Sequence, residues 1–96
     1  MNILTLRQKY RDQIMILANK YKAQNIRVFG SVARGEESVN SDIDFLVSFK
    51  KGASLLDESG FEIDLTELLG CKVDLISDRA LREEFKPFIL KEAREL

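Results

Sequence analysis

Near the start of the chain, Leu6, Tyr10, Ile14, Leu17 and Tyr21 recur at three- and four-residue steps. That period predicts a helix from Thr5 to about Lys22 with one apolar stripe, and Arg7, Lys9, Arg11, Asp12 and Lys20 fall off it. Ile26–Phe29, read as Ile-Arg-Val-Phe, is a short strand that stops at Gly30-Ser31. Val32–Arg34 then fits a helical turn before Gly35. Ile43–Phe49 is the strongest strand, a mostly apolar run closed by the polar turn Lys50-Lys51-Gly52. Ser54 is placed to cap a helix reaching Leu69, with Phe61, Leu65, Leu68 and Leu69 on one face and Gly70 at the C′ position. Val73–Ile76 is a third short strand. Leu81–Phe85 is expected to start another helix. Pro87 either opens the first turn of a further helix running to the C-terminus or kinks a single one.

The order α, β, short α, β, α, β, α predicts an α/β (α+β) layer structure, a small mixed sheet flanked by helices. At 96 residues, one domain with a modest core is expected. Three short strands are few, so the apolar faces of the terminal helices either pack fully on the sheet or partly serve a partner. The residues available for such contact are Leu6, Tyr10 and Tyr21 at the beginning and Leu81, Phe85, Phe88 and Ile89 at the end. The formal net charge of -1 lacks the basic excess of a general nucleic-acid binder, so direct nucleic-acid binding is not favoured. The single cysteine, Cys71, allows no intrachain disulfide, which fits a reducing cytoplasm. No apolar run is long enough to span a bilayer.

The chain has no histidine, which removes Ser-His-Asp triads, Cys-His pairs and His-containing zinc sites. A metal held here is held by oxygen, as Mg²⁺ or Mn²⁺ would be. Asp42 and Asp44 are the leading candidates. Two residues apart on a strand, they share a face at a separation of roughly 7 Å, from which two carboxylates can lean onto a pair of metal ions about 3.5–4 Å apart. The neighbours Ile43, Phe45, Leu46 and Val47 are apolar, so unpaired charges here are costly. Ser41-Asp42 alone could simply end a loop, but that leaves Asp44 unexplained. Asp74 repeats the pattern inside Val-Asp-Leu-Ile: it either joins the other two carboxylates from an adjoining strand or is an edge aspartate facing water. Gly30-Ser31 follows a strand directly, where a backbone without a Cβ and N–H groups at a helical turn suit a phosphate. Arg34 is within reach of the same phosphates or of a neighbouring carboxylate.

The pieces together, Gly30-Ser31-Val32-Ala33-Arg34-Gly35, a short loop, then Ser41-Asp42-Ile43-Asp44, resemble the signature of the DNA polymerase β-like nucleotidyltransferase superfamily, and within it the minimal nucleotidyltransferase (MNT) group. The resemblance extends over nearly the whole chain and implies a polymerase β-like core. It implies that Asp42 and Asp44 bind two Mg²⁺ ions. Asp74 would bind the catalytic ion and orient or deprotonate an incoming hydroxyl, and Gly30 and Ser31 would hold the phosphates of ATP. It further implies a HEPN-domain toxin as partner, neutralised by transfer of AMP to a tyrosine, because so short a chain leaves no room for an added acceptor domain. Two other readings remain open at this level: an antitoxin that masks its partner without chemistry, and a transferase acting on a small hydroxylated molecule.

Overall fold

A computed structural model describes all residues from Met1 to Leu96. Helix α1 (Ile3–Thr5) passes through a π-helical turn (Leu6–Tyr10) into α2 (Arg11–Lys20). The start lies earlier than the apolar period suggests because Asn2 caps it, its side chain accepting a hydrogen bond from the Thr5 amide at 2.8 Å. The helix ends at Lys20, and Lys22, with φ 61°, turns the chain into β1 (Ala23–Phe29). Strand β1 is three residues longer than its apolar portion. Its polar opening carries a bulge around Asn25, which also has a positive φ of 53°.

After β1 come α3 (Gly30–Arg34), β2 (Ile43–Phe49), α4 (Leu55–Leu69) and β3 (Val73–Ser77). Helix α4 keeps the bounds expected from sequence. Ser54 and Asp57 form a reciprocal capping box at its start, and Gly70 closes it in the left-handed region. The C-terminal part departs from expectation. Leu81–Phe85 forms no helix: a 3₁₀ turn (Asp78–Ala80) is followed by irregular chain and a turn. Helix α5 then spans only Lys86–Glu92, with Pro87 in its first turn. Leu81 and Phe85 are correctly spaced for a helical face, but Arg82, Glu83 and Glu84 between them are exposed, and no core lies there to reward the period. The chain does not end in helix either. Arg94–Glu95 forms a short strand, β4.

The sheet order is β3-β2-β1-β4, parallel between β2 and β3 and antiparallel elsewhere. One face, carrying Ile26, Val28, Phe45, Val47 and Phe49, packs under α2 and α4 with Leu6, Ile14, Phe61 and Leu65 in a single core. Phe61 stacks on Tyr21 with ring centroids 6.0 Å apart and meets the edge of Phe49 at 6.5 Å. The opposite face carries Arg27, Phe29, Asp44, Leu46, Ser48 and Asp74, by strand alternation and register. The C-terminus is tied down beside it: the Leu96 amide donates to Ile26 O, and the Arg7 guanidinium donates to Glu95 O at 2.6 Å. No helix is long and apolar enough to cross a membrane.

Candidate active site

The candidate residues gather at one end of the sheet face turned away from α2 and α4. Strand β2 starts at Ile43, so Asp42 sits on the approach rather than within the strand. There it pairs with Lys72, Nζ to Oδ2 3.5 Å, and the Ile43 amide donates to Lys72 O. Asp44 and Asp74 are register partners on the parallel pair β2–β3, and Phe29, the last residue of β1, lies opposite Asp44 on the other side. The next residue is Gly30. Strand β3 is an edge strand, as one reading of Asp74 expects, yet register carries the Asp74 carboxylate beside that of Asp44, as the other expects.

Two properties make Gly30 the residue this turn requires. Its φ of 70° is in the left-handed region, and a Cβ built on it would collide with an Asp44 carboxylate oxygen. Backbone and carboxylate are thus in direct contact, and Ser31 follows as the second residue of α3. Val32 and Ala33 are buried and anchor that short helix, which Gly35 ends in the left-handed region at φ 72°.

Charge is crowded here. Burial, reinforced by the neighbouring Asp74 and then by Asp42 and Glu92, pushes the Asp44 carboxyl up to about 6. Glu92 comes from the end of α5 and was not singled out by sequence. It lies among polar residues in a stretch with no motif, and only the docking of α5 against α3 brings it in. One of its oxygens, Oε1, accepts from both the Gly30 amide (2.5 Å) and Arg34 Nη1 (2.8 Å). Arg34 also donates from Nε to Glu36 at 2.9 Å, so it is engaged by carboxylates on two sides. Lys72 likewise carried no motif. Its pairing with Asp42 follows from the chain crossing between α4 and β3.

The donor set suits a hard divalent cation. It is all oxygen, and burial, then the neighbouring carboxylates, disfavour the Asp44 charge that a cation would compensate. The expected convergence of three carboxylates is not closed in this arrangement: no group of three is spaced to hold one ion. Asp42 faces Lys72 instead, a half-exposed pair that costs little to break. Further along the same face, a cleft of about 530 Å³ is lined by Arg27, Ser48, Asp78, Arg79, Lys86 and Leu90. It lies at the Ser48 end of β2, away from the aspartates.

Comparison with known proteins shows the family. Residues 11–96 match the nucleotidyltransferase domain family. Over 90 residues the chain is 38% identical to MJ1217 of Methanocaldococcus jannaschii, a protein provisionally named a protein adenylyltransferase, covering 94% of this chain and 89% of that one. It is 38% identical over 76 residues to the protein adenylyltransferase MntA of Thermococcus cleftensis, covering 79% and 77%. A solved structure provisionally described as a minimal nucleotidyltransferase superposes with TM-score 0.87 at 42% identity, covering 100% of this chain and 97% of that one. More distant structures share the fold. One is a toxin–antitoxin with AMP-PNP (TM-score 0.75, 24% identity, 90% and 71% covered). Another is a tri-AMPylated Shewanella oneidensis HEPN toxin in complex with its MNT antitoxin (TM-score 0.65, 21% identity, 88% and 66% covered). The chain belongs to the nucleotidyltransferase domain family and is an enzyme of its minimal, MntA-like branch.

Proposed function

We propose that this nucleotidyltransferase transfers AMP from ATP, with Mg²⁺, to a tyrosine hydroxyl of a HEPN-domain toxin and so acts as its antitoxin. The observation that carries the reading is the in-register pair Asp44–Asp74 set directly against Gly30 at the start of α3. It places carboxylates and a phosphate-compatible turn within one nucleotide's reach. Relatives named as protein adenylyltransferases and the fold shared with MNT–HEPN complexes support the acceptor class.

In this reading the Gly30 and Ser31 amides, the Ser31 hydroxyl and Arg34 hold the β- and γ-phosphates. Asp42 and Asp44 hold the divalent ions, with Asp74 sharing one of them. Bound there, Mg²⁺ supplies charge neutralisation on the phosphates and lowers the pKa of the attacking hydroxyl. Asp74, on the adjoining strand, orients the acceptor hydroxyl and takes up its proton. The acceptor oxygen forms a bond to the α-phosphorus as the bond to the bridging oxygen breaks, and pyrophosphate leaves. Asp42 must turn from Lys72 to take part.

Mass spectrometry of a HEPN-domain partner, co-expressed and then incubated with ATP and Mg²⁺, tests the reading. The partner is expected to gain mass in AMP-sized steps on a tyrosine. Ser31→Ala combined with Asp42→Asn should leave the complex assembled and the partner unmodified and toxic. A partner that is neutralised by the wild-type protein yet stays unmodified would establish masking instead.

A further inference from the structure

The Gly30 amide and the Arg34 guanidinium, two of the donors proposed above for the triphosphate, are both engaged by Glu92 Oε1. A backbone N–H has one proton to give, and Arg34 is already shared with Glu36. A phosphate oxygen and the Glu92 carboxylate therefore compete for the single Gly30 proton and for the Nη1 contact of Arg34, and two anions cannot sit together there without repulsion. Carboxylate and phosphate also present the same chemistry to a guanidinium and an N–H: a flat or tetrahedral set of charged oxygens.

We propose that Glu92 is an internal competitor for the triphosphate, holding Gly30 and Arg34 in the free protein and releasing both when nucleotide binds. This rests on the phosphate role of those two residues given above. The release is a rotation of the Glu92 side chain, not an unfolding of the C-terminus. The backbone around Glu92 is fixed by the pairing of Arg27 with Glu95 and Val28 with Arg94, by buried Leu96, and by the Arg7 grip on Glu95 O. The Glu92 side chain itself is 28% exposed, so a path to solvent is open. The device keeps Arg34 and the turn ordered before nucleotide arrives and sets a threshold on affinity.

The test is a double-mutant cycle on Arg34 and Glu92, read as the affinity for AMP-PNP with Mg²⁺ by titration calorimetry. Glu92→Gln keeps shape and removes charge, and should tighten binding about tenfold; Glu92→Ala should tighten it as well. If Glu92 competes, Arg34→Ala in the wild-type background loses a phosphate contact but also frees an Arg34–Glu92 pair, so its cost is partly offset. In the Glu92→Gln background the offset is gone, and Arg34→Ala should weaken binding several-fold more than it does in wild type. The opposite sign of coupling, or weaker binding by Glu92→Gln, would mean that Glu92 props Arg34 in place or binds the ion, and overturns the proposal. If neither Arg34→Ala nor Ser31→Ala weakens binding in either background, the phosphate site itself is misplaced and both readings fall. Melting curves of each variant confirm that differences arise in the folded protein.

Discussion

At the level of single residues, the surroundings of Asp44 dictate a pH response. Its carboxyl titrates at about 6 in the folded chain, against an ordinary value of 3.8, because burial and then Asp74 disfavour the charge. Between those values the folded state holds the proton more tightly than the unfolded one. Stability therefore falls as pH rises through that window, and the charged form costs stability above it. Asp44 is only partly buried, and the solvent that reaches it screens the full shift to about 1 kcal/mol. Asp44→Asn should thus melt about 4–8 °C higher than wild type at pH 7 and lose most of the slope between pH 4 and 6. A lower melting temperature at pH 7 would contradict stored repulsion. Divalent ions should produce the same relief: Mg²⁺ should raise the melting temperature of wild type but not of the Asp42→Asn, Asp44→Asn double variant. Asp74 should separate from that pair. If it prepares the acceptor, Asp74→Asn keeps most triphosphate affinity and loses transfer, as for a contact made in the transition state. Equal loss of affinity at all three aspartates would remove the division of labour.

Among the elements, legibility followed the strength of local chemistry. Helix α4 could be bounded from sequence because Ser54 and Gly70 mark its ends with local chemistry, and β2 because its apolar run is buried along its length. Asp44 and Asp74 stood out for the same reason, as charges where the pattern demands apolar side chains. Strand β4 was not legible: Arg94 and Glu95 are exposed and polar, and their conformation comes from the free edge of β1. The polar start of β1 hid its bulge in the same way. Glu92 and Lys72 reached the site only through tertiary docking, which no spacing encodes. Helix α4 also offers a test of packing against propensity at Gly60. Alanine is favoured by about 1 kcal/mol in a helix interior. Yet a Cβ on Gly60 would lie 2.5 Å from Tyr21 Cε1, and that ring is fixed by its stack on Phe61 and by the 2.5 Å bond from its hydroxyl to Asp64. Overpacking of about 1–3 kcal/mol should win, so Gly60→Ala is expected to melt below wild type. An unchanged or higher melting temperature would show that the ring can yield.

Taken whole, the molecule spends its two terminal segments differently. Leu6 is fully buried and Tyr10 and Tyr21 are half-buried, so the opening helix largely serves the core. The closing segment leaves Phe85, Phe88 and Leu90 exposed, Phe88 at 73%. Leu55, Leu56 and Ile63 on α4 are exposed too, as are Leu4 and Ile16 on the opening helix and Val39 in the loop before β2. Position decides between them. An acceptor side chain must reach Asp74, and α5 packs against α3, which carries Ser31. Leu55 and Leu56 follow the end of β2 at Phe49, the opposite end of the strand from Asp44. A partner modified at this site is therefore expected to dock over α5, burying the roughly 800 Å² per side of a standard interface with its aromatic residues near the centre. Phe85→Ser and Phe88→Ser should each weaken the complex with the proposed HEPN partner by about 2 kcal/mol, roughly 30-fold, while AMP-PNP binding is kept. Leu55→Ser with Leu56→Ser should leave the complex intact. Size-exclusion chromatography and titration of the purified pair would read both, and a complex broken by the α4 changes but not by those at Phe85 and Phe88 would move the interface to the far end of the sheet, beyond reach of the aspartates.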